Sequence, residues 1–173
     1  MRITTTTTLL TLASLASAQI NGTNGIGTTP TQRSVVSADQ AYKIVQAAVA
    51  NATAIGIPQN VAVVDPSGLL VAFFRMDNAY IGSVDISQKK ARTAVLFNGL
   101  TSAALYDASQ PGAALYAIEQ TNGGLVVFGG GLPIYYQGKL IGGVGVSGGT
   151  VPQDVEVATA GLAGIGASAA APM

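Results

Sequence analysis

Two residue types that carry much of protein chemistry are missing here: the 173 residues include no cysteine and no histidine. Without histidine, the chain can form neither a Ser-His-Asp triad nor a His-Glu-x-x-His zinc site. Without cysteine, it has no disulfides, no thiol nucleophile and no thiolate metal site. Stability must therefore come from packing, with assembly as a further source.

Charge is also scarce, since charged residues make up 9% of the chain and the formal net charge is +0. Typical globular chains have about 25% charged residues. A neutral chain generates no long-range field that attracts nucleic acid or an anionic membrane, so neither is expected as a partner. Much of the surface must be apolar or small, which favours a homo-oligomer.

The N-terminus resembles an export signal, with Arg2, a short apolar run over residues 9–15 and the cleavage pattern Ala16-Ser17-Ala18. We predict a signal peptide over residues 1–18 and secretion of the mature chain. Residues 19–34 are rich in Asn, Gly, Thr and Pro and predict a flexible lead-in. No run reaches the ~20 apolar residues of a membrane span. Two sequons, at Asn21 and Asn51, predict glycosylation.

The remaining patterns predict one α+β domain over residues 35–166, with helices packed on an antiparallel sheet and a frayed tail over residues 167–173. Capping boxes at Ser37 and Thr150 begin two helices, and Ser83 is a candidate cap for a third. Asp65-Pro66-Ser67-Gly68 predicts a hairpin turn. The predicted strands cover residues 61–64, 69–74, 125–128, 133–136 and 139–147.

The last predicted strand has one nearly bare face. Alternation places Ile141, Gly143, Gly145 and Ser147 on that side, which invites close approach by a helix or a flat ligand. Gly143-x-Gly145-x-x-Gly148 matches the dinucleotide fingerprint by letter. However, that fingerprint needs a strand-to-helix turn and a following acidic residue, and no Asp or Glu follows Glu156. Nucleotide binding is therefore not predicted.

Several motifs together resemble the GlcG/HbpS-like family, in order from about residue 34 to residue 164. The resemblance implies a profilin-like fold, with an antiparallel five-stranded sheet between helices, and assembly into octamers in some members. It also implies a link to exported haem-binding proteins, to haem- or corrinoid-associated domains and to a glycolate-operon protein. The motifs are Asp65-Pro66-Ser67-Gly68-Leu69, Phe74-Arg75-Met76-Asp77, Ser83, Lys90-Ala91-Arg92-Thr93-Ala94, Gln110-Pro111-Gly112, Gly129-Gly130-Gly131-Leu132-Pro133-Ile134 and Ile141-Gly142-Gly143-Val144-Gly145-Val146-Ser147-Gly148.

The candidate ligand site combines the end of the first hairpin, the following helix and the glycine loop. Arg75 can clamp a carboxylate with its planar fork, and Lys90 either reaches solvent or meets an anionic ligand. The glycine loop can add backbone donors. The alternatives are that Arg75 pairs with Asp77 or Asp65, that Lys90 is merely solvated and that the loop is a simple turn. The candidate ligand-binding residues are Arg75, Met76, Asp77, Lys90, Thr93, Gly129, Gly130 and Gly131.

Haem is the cofactor that the resemblance implies, and the missing residues limit how its iron could be held. With no histidine or cysteine, tyrosine and methionine are the usual remaining ligands. The candidates near the motifs are Met76, Tyr80, Tyr135 and Tyr136. Packing in the core or an interface is the alternative role for each, and haem can also be held by stacking in an apolar cleft without ligation.

Three functions remain open from the sequence. The first is a secreted binding protein for haem or another planar, carboxylate-bearing small molecule. The second is an enzyme without metal or nucleotide, such as an isomerase, lyase or cyclase, with Asp77 or Tyr80 as acid or base and Lys90 and Arg75 holding charge. The third is an interaction protein whose sheet and tyrosines serve assembly alone.

Overall fold

The computed structural model describes residues 33–171, in which three α-helices pack on one antiparallel sheet. The α+β prediction is confirmed. Three short 3₁₀ turns, Ser102–Leu105, Asp107–Ser109 and Ile118–Gln120, lie in the irregular segment before the third strand. The elements are α1 (Ala38–Ala54), β1 (Asn60–Val64), β2 (Leu70–Arg75), α2 (Ser83–Leu96), β3 (Gly131–Tyr136), β4 (Lys139–Ser147) and α3 (Val151–Ala163).

The strands lie in the order β2-β1-β4-β3, and every neighbouring pair is antiparallel. Helices α1 and α3 cover one face through a shared apolar core, and α2 covers the other. Val64 of β1 packs with Ala91 and Val95 of α2. The main core draws on the two covering helices and on the inward side chains of the sheet, including Ile44, Val45, Val61, Val63, Val144, Val146, Val157 and Leu162.

The part of the bare face formed by Gly143 and Gly145 is covered by a helix. Ile141, predicted on the same side, instead packs in the main core because the β3–β4 register shifts beside it. A Cβ at Gly143 would lie 2.6 Å from the Ala91 carbonyl oxygen, and one at Gly145 would lie 2.5 Å from the Ala91 nitrogen. Glycine at these positions therefore lets the backbone of α2 touch the sheet. Both glycines lie inside β4 and not at the strand-to-helix turn that the dinucleotide fingerprint needs.

The sheet has four strands within residues 33–171, so the five-stranded sheet is wrong. The predicted strand over residues 125–128 does not form because its backbone groups bind elsewhere. The Leu125 N–H donates to Glu119 O (2.8 Å), and the Val126 N–H donates to Thr93 Oγ1 (3.3 Å). The Ser102 hydroxyl donates to Phe128 O (2.6 Å). These partners replace the ladder that a strand would need.

Local signals predicted the starts of α1 and α3 and the first turn correctly. The capping boxes at Ser37 and Thr150 both form. Asp65 Oδ1 accepts the N–H groups of Ser67 (2.8 Å) and Leu69 (3.0 Å) and so fixes the β1–β2 turn. The cap expected at Ser83 is wrong, because α2 begins at this residue and Gly82 precedes it without a side-chain cap.

Both ends of the described chain contact the sheet. The Val36 N–H donates to Ile141 O (2.7 Å), and Ser168 exchanges two 2.9 Å backbone hydrogen bonds with Tyr135 at the edge strand β3. The tail for which fraying is predicted is therefore attached at Ser168. The predicted signal peptide, the lead-in up to residue 32 and the last two residues lie outside the described residues.

Across residues 33–171, no helix has both the length and the apolar character that a membrane crossing needs.

Candidate functional site

The predicted site residues separate into two groups. Lys90, Thr93 and the glycine loop meet around β4 and α3, whereas Arg75, Met76 and Asp77 lie at the end of the edge strand β2. Two strand spacings of about 4.8 Å place β2 about 10 Å from β4. The structure thus does not bring all eight residues into one site.

Lys90 is fully buried (0% exposed) and uses its ammonium inside the protein. Nζ lies 2.6 Å from Asp154 Oδ2 and donates to Val146 O at 2.9 Å. It also lies 4.8 Å from the centroid of the Phe128 ring, within the range of a cation–π contact. Lys90 is therefore neither solvated nor open to a ligand, because the protein's own groups surround its charge.

Asp154 lies in the first turn of α3 and binds more than the lysine. Its Oδ1 also accepts the N–H groups of Gly148 (3.2 Å) and Gly149 (2.9 Å), so one carboxylate binds both the turn and the lysine. Burial lowers the pKa of Lys90, while the hydrogen bond and the charge of Asp154 oppose that shift. A buried charge of this kind needs its partner, since an unpaired one is costly.

The glycine loop closes over the buried lysine. A Cβ at Gly130, which has φ 111°, would lie 2.8 Å from Lys90 Nζ and 2.6 Å from Val146 O. The Gly131 N–H donates to Ser102 Oγ (2.9 Å), and Gly130 O accepts the Val146 N–H (2.9 Å). These groups already have partners within the protein, so the structure gives the loop a packing role.

Thr93 belongs to the same buried region. Its hydroxyl donates to Lys89 O (2.9 Å) and accepts the Val126 N–H (3.3 Å). Thr93 thus anchors the segment that leads into the glycine loop. The residues around Lys90 were predicted to contact a ligand. In the structure their polar groups bind one another inside the protein, so they have a structural role.

Arg75 ends β2 on the exposed edge of the sheet. Its neighbour across the ladder is Asn60, whose other neighbour is Ser147. Directly opposed residues share one face of a sheet, and Ser147 donates to Ser83 Oγ of α2, so all three lie on the α2 face. Among the described residues Arg75 forms no ion pair, and neither Asp77 nor Asp65 accepts its charge.

Two buried amides lie behind the end of β2. Asn60 Nδ2 donates to Tyr80 O (3.0 Å) and Ser147 O (3.5 Å), which ties the loop after β2 to the sheet. Asn60 Oδ1 and both polar atoms of the Gln59 side chain are buried without a partner in the described structure. Neither residue was predicted as part of the site, although two adjacent amides just before the apolar run 61–64 are a visible signal in the sequence.

Large apolar side chains are exposed beside Arg75. Phe73, two residues before Arg75 on β2 and therefore on the same face, is partly exposed, and Tyr80 (72% exposed) and Ile81 (79% exposed) lie in the loop before α2. Asp77 is also exposed in this loop. We call Phe73, Arg75, Tyr80 and Ile81 the β2-end surface. It combines a cation with apolar area, the combination that a planar carboxylate ligand needs.

The four candidate iron ligands differ in accessibility. Met76 and Tyr136 are partly buried against the main core, and Met76 Sδ accepts the Gln59 N–H at 3.3 Å. Tyr135 is 5% exposed, and burial raises the pKa of its phenol. Tyr80 presents its ring to solvent. The described residues hold no cluster of three Asp or Glu side chains that could bind a metal ion.

The two predicted glycosylation sites have different positions. Asn51 lies inside α1, where its Oδ1 is buried and Thr53 Oγ1 donates to Val49 O (2.8 Å). Asn21 lies outside the described residues.

Comparison with known proteins identifies similar chains. An uncharacterized 15.0 kDa protein from the dhaT-dhaS intergenic region of Citrobacter freundii is 46% identical over 124 residues, which cover 71% of this chain and 87% of that protein. Corrinoid adenosyltransferase PduO of the same organism is 38% identical over 131 residues, 75% of this chain but 39% of PduO. The chain thus spans about two-fifths of the length of PduO.

A solved structure of a PduOC:haem complex is also similar, with a TM-score of 0.73 and 38% identity over 78% of this chain and 97% of that one. The model of the family described as haem degrading protein HbpS-like matches residues 36–163. Those residues include both the buried Lys90–Asp154 pair and the β2-end surface. The chain belongs to the HbpS-like family.

Proposed function

We propose that this protein binds haem, or another planar carboxylate-bearing small molecule, at the β2-end surface. Support comes from the HbpS-like family and from the similar chain solved in complex with haem. The observation that carries the proposal is Arg75, a cation at the end of an exposed strand with large apolar side chains around it. The profilin-like architecture implied by the resemblance remains an expectation.

The residues at this surface fit the chemistry of haem. Arg75 offers a planar fork for a propionate, and Phe73 and Ile81 offer apolar area for a flat ring. Haem would bring an iron atom that accepts an axial ligand from the protein. Lys90 and the glycine loop are engaged with other groups of the protein, so this site depends on other residues.

The enzyme alternative depends on Asp77 or Tyr80 as acid or base. Both side chains are exposed, whereas catalytic acids and bases are usually tuned by burial or by a charged neighbour in a cleft. The geometry therefore favours binding over catalysis at this surface.

A titration of the ligand-free protein with hemin tests this function, with protoporphyrin IX as the metal-free control. We expect saturable hemin binding at a fixed ratio to the chain, followed by absorption and by quenching of tyrosine fluorescence. If protoporphyrin binds as well, the ring and carboxylates suffice for recognition. Uptake of hemin that rises without saturation would contradict the proposal.

Export belongs to the same proposal. We infer that residues 1–18 are removed, so that the working protein begins at Gln19 and binds its ligand outside the cell. N-terminal sequencing of protein collected from the medium checks this, because a chain that still begins at Met1 would contradict it.

A further inference from the structure

We propose that Tyr80 is the axial iron ligand when haem occupies the β2-end surface. This inference rests on the proposed function and names the residue that would contact the metal. Among the four candidates, Tyr80 alone combines an accessible side chain with a position at that surface.

The methionine candidate is engaged by the backbone. Met76 Sδ accepts the Gln59 N–H at 3.3 Å, and the Met76 N–H donates to Gln59 O at 3.0 Å. The backbone and the side chain of Met76 therefore both bind the backbone of Gln59. Met76 also packs against the main core. To bind iron, this sulfur would have to leave both its hydrogen bond and its apolar contacts.

The two tyrosines of β3 are held in the sheet. Tyr135 is buried in β3, and its backbone is paired with Ser168 as well as with β4. The raised pKa of this phenol works against the phenolate form that iron prefers. Tyr136 packs partly against the core on the same strand, which is the opposite edge of the sheet from Arg75.

Tyr80 has a fixed backbone and a free ring. Its carbonyl accepts Asn60 Nδ2 at 3.0 Å and the Ser83 N–H at 3.1 Å, just before α2 begins. The side chain is 72% exposed. A ligand residue needs this combination, because an anchored main chain limits the ordering cost of binding while the oxygen stays accessible.

Asn60 links Tyr80 to Arg75. It binds the Tyr80 carbonyl through its side chain and is the direct ladder partner of Arg75 through its backbone. When the phenol binds ferric iron, its O–H bond breaks, an iron–oxygen bond forms and the proton passes to water.

Absorption and resonance Raman spectra of the hemin complex test the inference, with Tyr80→Phe as the variant and Tyr116→Phe as its control. Tyr116 is 62% exposed and lies in the irregular segment before β3. We expect the wild type and Tyr116→Phe to show an iron–phenolate charge-transfer band, and Tyr80→Phe to lose it and to bind hemin at least tenfold more weakly.

The outcomes separate the two claims. If the wild type binds no hemin, both the proposed function and this inference fall. If the wild type binds hemin but lacks the phenolate band, or if Tyr80→Phe keeps the band, haem binding stands and Tyr80 is excluded as the ligand. Thermal unfolding of both variants checks that the loss of the band does not reflect loss of fold.

Discussion

Lys90 on α2 and Asp154 on α3 meet through a 2.6 Å contact between Nζ and Oδ2, although 64 residues separate them in the chain. The carboxylate also holds the turn after β4, and the ammonium also holds the end of β4 itself. One buried pair therefore joins the two helices, the last strand and the glycine loop. Because both charges are out of water, the fold depends on their mutual neutralisation.

Replacing the lysine leaves that carboxylate unpaired. We expect Lys90→Met to lower the free energy of unfolding by about 3–5 kcal/mol, the usual cost of breaking a buried pair from one side. Adding Asp154→Asn should recover part of the loss, because an amide oxygen can still accept the Gly148 and Gly149 N–H groups. Urea unfolding of the single and double variants measures both effects. A single-variant loss below about 1 kcal/mol would show that the pair is solvated.

The glycine loop has little room for a side chain at Gly130. We expect Gly130→Ala to destabilise the protein, because its φ of 111° is strained for alanine and the new Cβ would lie 2.6 Å from Val146 O. The control is Gly112→Ala, whose φ is 84° and whose Cβ would meet nothing within 4 Å. Gly130→Ala should cost about 1–3 kcal/mol more than the control in urea unfolding. Equal losses would mean that the loop yields freely.

Local residue chemistry explains what could be predicted and what could not. The capping boxes, the Asp65 turn and the close approach at Gly143 and Gly145 of β4 follow from short-range patterns, and each was predicted correctly. The run over residues 125–128 has the side chains of a strand, but Thr93 and Ser102, distant in sequence, take its backbone groups. The Lys90–Asp154 contact has no local signal, so the sequence placed Lys90 in a ligand site.

Because the phenol of Tyr135 is buried, the free energy of unfolding is expected to fall at alkaline pH. The unfolded chain loses this proton near pH 10.0, whereas burial raises the pKa in the folded state. Above pH 10.0 the folded state therefore holds more protons, and its stability falls as the pH rises through the raised pKa. We expect Tyr135→Phe to reduce this fall in urea unfolding, with the exposed Tyr42→Phe as control. Identical alkaline profiles for the wild type and Tyr135→Phe would contradict the assignment.

Self-association is proposed through the start of β2, away from Arg75. Leu69 and Leu70 are exposed there, and an edge strand with apolar side chains tends to pair with a second chain. We expect light scattering to give a mass above that of one chain, and Leu70→Lys to shift it toward the monomer. Leu115→Lys, which changes an exposed leucine in the irregular segment, is the control. A monomeric wild type would contradict this proposal.

The central claim is that Arg75 and its apolar neighbours bind a planar carboxylate, and a comparison of hemin affinities tests it most directly. The variant is Arg75→Ala, and the matched control is Arg33→Ala. Arg33 is exposed and lies three residues before Val36, which binds Ile141 near the start of β4, whereas Arg75 is aligned with Ser147 at the end of β4. Loss of a charged hydrogen bond of about 1.5–3 kcal/mol predicts a dissociation constant at least tenfold higher for Arg75→Ala. The Arg33→Ala variant should match the wild type. Equal affinity in all three proteins would contradict the β2-end surface as the binding site.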